Sequence, residues 1–316
     1  MKKVFLSMFV AMMATVAIQA QQIAVVSGST TSTYKTLAAA IEAAPEGSVI
    51  YLPGGGFPLS DEVKITKKLT IIGIGYNAQA DNADGRTLVE GNLFFNAGSS
   101  GCAVMGCYIN GNVYIGDGDD KPEVDDVLIK YCNLNSVQVK NSSCRGTVVN
   151  QNLIRSQSHF SNAPVTLTNN IMKDVYYTRG AIIDNNVICG DNSWTFYDCQ
   201  NSVSISYNVI LNWDGAYNDY NNQKTGNLIY GGNWGDDCVK LNDLKGVFEN
   251  NSGVNPVSNY HFKDAYQEYE GIYGIYGGEG FSDGQLPPVP YISSKSVPKE
   301  TDASGNLHIN ITVNAK

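Results

Sequence analysis

VTLTNNIM, residues 165–172, is one of six eight-residue segments that align without a gap. The others are CAVMGCYI (102–109), VLIKYCNL (127–134), TVVNQNLI (147–154), AIIDNNVI (181–188) and VSISYNVI (203–210). Places one and three are mostly apolar, the alternation of a strand with one buried face. Place six is Asn152, Asn170, Asn186 and Asn208, with Cys107 and Cys132 in the first two segments. Place eight is Ile109, Leu134, Ile154, Met172, Ile188 and Ile210. Weaker continuations occur at Asn227-Leu228-Ile229 and in a turn near Asn250.

Counted along place six, the steps are 25, 20, 18, 16, 22, 19 and 23 residues. Such scatter suits coils whose strands are fixed while their connecting turns vary. A repeat this short cannot bury its own apolar face, so it must stack on neighbours with strands about 4.8 Å apart. An Asn recurring at a bend can bond the backbone of the next coil and form a ladder. The strict hexapeptide period of a left-handed solenoid is absent, and a propeller blade needs about twice this spacing. The pattern predicts an all-β right-handed parallel β-helix.

An open solenoid exposes unpaired backbone at both ends and needs covers. At the front, Leu37, Ala40, Ile41 and Ala44 fall on one side of a short helix closed by Pro45 and Gly47. At the back, Leu286-Pro287-Pro288-Val289-Pro290 breaks the pattern, and LHINITVN (307–314) alternates as a final capping strand. The aromatic stretch 260–281 is expected to pack over the last coils.

The run YKTLAAAIEAAPEGSVIYLPGGGFPLSDEVKITKKLTIIGIG resembles the opening segment of the pectin-lyase-like superfamily of β-helix proteins. That resemblance implies a capping helix, a Gly-rich turn and a first strand ending in Gly, with coils through most of the chain. The ending GIYGGEGFSDGQLPPVPYISSKSVPKETDASGNLHINITV is similar to the tails of exported β-helix proteins from Bacteroidetes. The likeness is specific for fold; the superfamily holds lyases, hydrolases, adhesins and inert scaffolds.

Residues 1–20, MKKVFLSMFVAMMATVAIQA, read as a secretory signal peptide with Lys2 and Lys3 at its start and Ala20 before the cut. The expected organisation is a β-helix domain with its N-terminal cap over 21–285 and a capping tail over 286–316. No later stretch is apolar enough to span a membrane. The reading is therefore an exported protein: periplasmic, cell-surface or secreted. The mature chain keeps 19 basic against 30 acidic residues, a net charge of −11. It repels phosphate backbones, which excludes nucleic acid as a partner, and repels anionic polysaccharide unless a cation bridges the two.

Seven cysteines occur without any Cys-x-x-Cys pair, and His159, His261 and His308 are scattered, so a structural zinc site is excluded. Cys107 and Cys132 occupy one place in successive coils, within disulfide range, but parallel side chains favour two buried thiols. No cofactor motif is present: Gly54-Gly55-Gly56 lacks a following Lys-Ser or Lys-Thr, and Gly73-x-Gly75 lacks its third Gly.

Candidate chemistry centres on NWDGAYNDYNNQKTGNLIYGGNWGDD (212–237), where Asn-Trp recurs after 21 residues. Trp194, Trp213 and Trp234 offer flat faces for sugar rings, with Tyr217, Asp219 and Tyr220 in the same turns as further substrate-binding candidates. Asp214 and Asp236 or Asp237 fall in adjacent turns, close enough for an acid–base pair or a shared calcium. The competing reading is an aromatic stack filling wide turns. Asp117, Asp119 and Asp120 open a second acidic stretch, GDGDDKPEVDD, like a calcium loop, but Lys121 sits at its fifth place and the Gly is missing.

Place four carries Lys130, Asn150, Thr168, Asp184 and Ser206, an outward polar stripe suited to a ligand groove or simply solvated. Lys130 and Asp184 stand three coils apart, about 14 Å, too far to act as paired acid and base. The Asn-Thr-Asp, Gly-His-Gly and Arg-Ile-Lys signatures of polygalacturonase-like hydrolases, and the Asp-His of common pectate lyases, are missing. The sequence points to non-catalytic binding of an extracellular polysaccharide or surface protein. It leaves open an atypical polysaccharide lyase or glycoside hydrolase, and a purely structural or adhesive protein.

Overall fold

The computed structural model describes residues 22–77, 85–190, 194–212, 216–217, 221–230, 237–282, 287, 290–296, 298, 300–302 and 304–314. Among them, three long sheets run along one axis, of eleven, ten and seven strands. Successive coils pair in parallel in all three, as in Val148↔Thr166, Leu153↔Ile171 and Ser158↔Val175. The chain is an all-β parallel solenoid.

Each eight-residue segment spans two strands rather than one. Places one to four lie in the first sheet, as in Val165–Thr168, and places seven and eight in the second, as in Ile171–Met172. Between them, place five turns the backbone left-handed at Tyr131, Gln151, Asn169, Asn185 and Tyr207, with φ between 53° and 56°. Asn adopts this region with little penalty, and the flanking coils use Gly106 and Gly226. After the bend the parity of the pattern reverses, so that place seven faces out and place eight faces in. Ile129, Val149, Leu167, Ile183 and Ile205 at place three are fully buried, as are Leu134, Ile154, Met172, Ile188 and Ile210 at place eight. These side chains fill the interior of the coil.

Place six makes the predicted ladder. Asn152, Asn170, Asn186 and Asn208 each donate through Nδ2 to Oδ1 of the next coil's Asn, at 2.9–3.0 Å. The same Oδ1 atoms accept the backbone N–H of the preceding coil's Asn, as when Asn170 N–H donates to Asn186 Oδ1 at 2.9 Å. Each Nδ2 also donates backwards to a backbone carbonyl, such as Asn186 to Leu167 at 2.8 Å. The column continues to Asn227, and all five amides have zero exposure. Burying an amide is tolerable only when its donors and acceptors are matched, which here requires the adjacent coil in register.

The column changes chemistry at its ends. Strand register places Cys107 and Cys132 in it on one side and Cys238 beyond Asn227 on the other. Asn227 Nδ2 reaches Cys238 Sγ at 3.9 Å. Cys107 and Cys132 are free thiols with zero exposure. Burial pushes both thiols up, Cys132 to about 12.

The cap helix forms over Leu37–Ala43, with Thr36 Oγ1 accepting the Ala39 N–H at 3.2 Å. Its buried residues are Leu37, Ala40 and Ile41, with Ala44 just beyond, as the spacing predicts. An antiparallel hairpin, Ile23–Ser27 with Thr30–Tyr34, extends the first sheet beyond the first coil. The aromatic stretch packs over the later coils, as expected, and does so from the side. Phe248, Tyr260, Phe262 and Ile275 cover the outer face of the second sheet, packing on Leu153, Ile171, Val187, Val209 and Leu228 at place seven. The C-terminal strand pairs antiparallel with another tail strand, Asn310–Asn314 against Tyr291–Ser296, and its residues are exposed.

Replacing Asn186 by Ala strips partners from Asn170, Leu167 and Asn208 at once. Urea unfolding is expected to show a loss of at least about 3 kcal/mol, whereas a loss under about 1 kcal/mol would mean that the ladder is ornamental. Native protein at mildly alkaline pH should leave Cys107 and Cys132 unlabelled by iodoacetamide, with labelling appearing only on unfolding, as read by mass spectrometry.

Candidate ligand groove

Because place four faces outward from the first sheet, parallel register sets Lys130, Asn150, Thr168, Asp184 and Ser206 side by side on successive coils. Leu128, Val148 and Thr166 form a second outward column two residues earlier. All of these but Ser206 floor a cleft of about 560 Å³, walled by Asn169, Asn185, Gly278 and Glu279.

The wall is built by a strap, residues 272–282, held along the left-handed bends by side-chain amides. Asn185 Nδ2 donates to Ile272 O at 2.8 Å. Asn169 Nδ2 donates to Ile275 O at 2.9 Å and to Gly277 O at 2.7 Å. Gln151 Oε1 accepts the Ser282 N–H at 2.9 Å, and Tyr207 O accepts the Gly274 N–H at 2.8 Å. Three consecutive amides at place five therefore do for the strap what place six does for the coils. Gly277 lies so close to Asn185 that a Cβ there would meet Nδ2 at 2.0 Å, which fixes glycine at the point where the strap crosses the bend.

On the floor, Asn150 is 4% exposed. Its Nδ2 donates to Thr168 Oγ1 at 2.8 Å, but its Oδ1 is a buried acceptor without a partner. Such an acceptor costs free energy until a donor from water or a ligand reaches it. Lys130 places its ammonium 4.9 Å from the Tyr131 ring. Asp184 is half-buried and accepts from Ser206 Oγ at 2.9 Å. Burial raises its pKa, and the hydrogen bonds from Ser206 and the Asn185 N–H only partly offset this. The floor thus presents a cation, an unmatched carbonyl, a hydroxyl and a half-buried carboxyl in a row along the axis.

The residues proposed from the Asn-Trp repeat scatter differently. Trp213, Asp214, Asp219, Tyr220, Trp234 and Asp236 lie outside the described residues. Asp237 is exposed, next to the half-buried Cys238. The Tyr217 backbone pairs with Tyr197 in the third sheet, and Trp194, 37% exposed, stands two residues before Phe196 in that sheet. Tyr217 therefore belongs to the third sheet and Trp194 to the segment leading into it, whereas the groove floor is on the first. Asp117 is half-buried, and Asp119 and Asp120 are exposed in the same turn. Among the described residues no group of three or more His, Cys, Asp or Glu side chains is arranged to hold a metal. Among them, too, no helix is long and apolar enough to cross a membrane.

The place-four stripe was visible in the sequence, but its wall was not. The signal for it was place five, where Gln151, Asn169 and Asn185 follow one another at a bend that already has its ladder amide.

Asp184 supplies a test of the groove's electrostatics. Its folded-state pKa lies above the unfolded value, so its stabilising contribution is present below the ordinary carboxylate range and is lost as pH rises through the raised value. Asp184→Asn is expected to melt with wild type at about pH 3 and above it at about pH 7. Thermal melts across that range check this, and a variant less stable than wild type at neutral pH would contradict it.

Set against the models of known families, curated proteins and solved structures, the chain matches none of them. The parallel solenoid is shown by its own strand pairing, while the pectin-lyase-like resemblance and the likeness to Bacteroidetes tails gain nothing from these comparisons.

Proposed function

We propose that this is an exported, non-catalytic carbohydrate-binding solenoid whose ligand lies in the first-sheet groove. The observation that carries the reading is the Asn150 carbonyl, buried, unmatched and placed on the floor of a cleft among other polar groups. A turn of the Asn150 amide towards the cleft brings this buried oxygen to a sugar hydroxyl, which supplies the missing donor. The hydroxyl oxygen can in turn accept from Lys130 or Thr168. The apolar faces of Leu128 and Val148 beside this row suit the C–H faces of a pyranose. The chain's opening segment, with its likeness to pectin-lyase-like proteins, and its signal-like first twenty residues agree with an extracellular glycan as ligand.

Catalysis fits the floor less well. Lys130 and Asp184 are three register steps apart, about 14 Å, whereas paired acid–base groups in glycoside hydrolysis work at roughly 5–9.5 Å.

Calorimetric titration of the mature protein with neutral oligosaccharides tests the proposal. Asn150→Ala is expected to weaken the best ligand about tenfold while lowering Tm by no more than about 4 °C. Undiminished binding by the variant would remove the ligand from this groove. Release of new reducing ends or unsaturated products from a glycan would instead make the protein an enzyme.

A further inference from the structure

The outward positions of the third sheet differ in kind from those of the other two. Strand register aligns Phe94, Tyr114, Gln138, His159, Tyr176 and Tyr197 on successive coils, with the Tyr217 backbone next. The equivalent positions of the first sheet are Lys, Asn, Thr, Asp and Ser, and those of the second are aliphatic side chains beneath the C-terminal segment. The third sheet has rings at its surface: Tyr114, His159, Tyr176 and Tyr197 are all half-buried.

The rings form two blocks. Phe94 and Tyr114 stack with centroids 4.8 Å apart and planes 9° from parallel. Tyr176 lies 5.1 Å from His159 and 5.3 Å from Tyr197, and Tyr177, one residue on, closes the cluster at 5.5 Å and 5.3 Å from the same two rings. The one non-aromatic position, Gln138, separates the blocks. Lys140, two residues after it, fills that gap from the side, with its ammonium 5.1 Å from the centroid of Tyr114. Its charge also reaches His159, whose pKa is lowered first by burial and then by Lys140. At the outer end of the first block, Lys64 sits 3.3 Å from the centroid of Phe94. Among the described residues no carboxylate pairs with either ammonium.

A row of rings with unpaired cations at one end and at its break is complementary to a chain of rings carrying anions. We infer that the third sheet is a second binding face, for an anionic glycan whose sugar rings lie along the aromatic row and whose carboxylate or sulfate groups pair with Lys140 and Lys64. Aromatic faces and edges give sugar rings apolar contact, and an ammonium already resting on a ring is partly desolvated, which strengthens its pairing with an anion. The net negative charge of the chain opposes such a ligand at long range. At about 0.15 M salt, charges more than about 8 Å away are largely screened, and the two local lysines dominate at contact. The inference uses no residue of the first-sheet groove, so the two faces stand or fall separately.

The test is fluorescence anisotropy with labelled chondroitin sulfate, hyaluronan and dextran on the mature protein at about 0.05 and 0.15 M salt. Saturable binding is expected for one or both anionic chains and not for dextran. Binding of chondroitin sulfate alone assigns the recognised anion as sulfate, and equal binding of hyaluronan assigns it as carboxylate. Lys140→Ala should weaken the anionic ligand about tenfold and Lys64→Ala about three- to tenfold, with Lys140→Arg retaining affinity. Asn150→Ala should bind it as wild type does. No binding of either anionic chain, equal binding of dextran, or unchanged affinity in both lysine variants with an unchanged Tm would overturn the inference.

Discussion

A buried side-chain amide has two donors and an acceptor to satisfy, and inside this solenoid zero exposure removes it from bulk solvent. Asn152, Asn170, Asn186, Asn208 and Asn227 meet that demand by bonding to one another and to the backbone of adjacent coils. The requirement sets register, because a coil displaced by one residue would leave several polar groups unmatched in a dry interior. It also fixes where each coil bends, and so where the first sheet ends and the second begins. Turn lengths elsewhere are free to vary, which is why steps of 16 to 25 residues are compatible with one continuous column. The groove and the aromatic row both inherit their alignment from this column.

Much of that was legible in the sequence because it repeats. Place six announced the ladder, places one, three and eight announced the interior, and Leu37, Ala40 and Ile41 announced the cap. The eight-residue segment nevertheless looked like a single strand, because the left-handed turn at place five is made by Tyr, Gln and Asn as well as Gly. Once that bend is known, the run Leu153, Ile171, Val187, Val209 and Leu228 at place seven becomes informative: apolar side chains facing out need a cover. Their cover comes from residues 244–275, far along the chain; the aromatic stretch 260–281 pointed to a cover over the last coils, but no local pattern said which sheet it would lie on. The aromatic row was missed for a related reason. Its strands are as short as two residues, such as Ser158–His159 and Val175–Tyr176, too brief to show alternation.

The three sheets divide the labour of the surface. The second is turned into interior by the C-terminal segment. The first keeps a polar floor open beside a strap, and the third presents rings with cations among them. A coil thus serves as a ruler about 4.8 Å high, on which each sheet mounts a different column of side chains. Chemistry can change along one column without disturbing the others, because the interior contacts belong to other places in the repeat.

The strap joins residues far apart in sequence: Ser282 reaches back 131 residues to Gln151, and Gly277 reaches back 108 to Asn169. During synthesis the coils that carry the groove floor, from Leu128 to Asp184, can therefore stack while the groove still lacks one wall. The cleft is completed only by residues 272–282, so a chain cut before them would carry a finished scaffold with an unfinished cleft. An intact cleft is in this sense a report that synthesis has passed the strap.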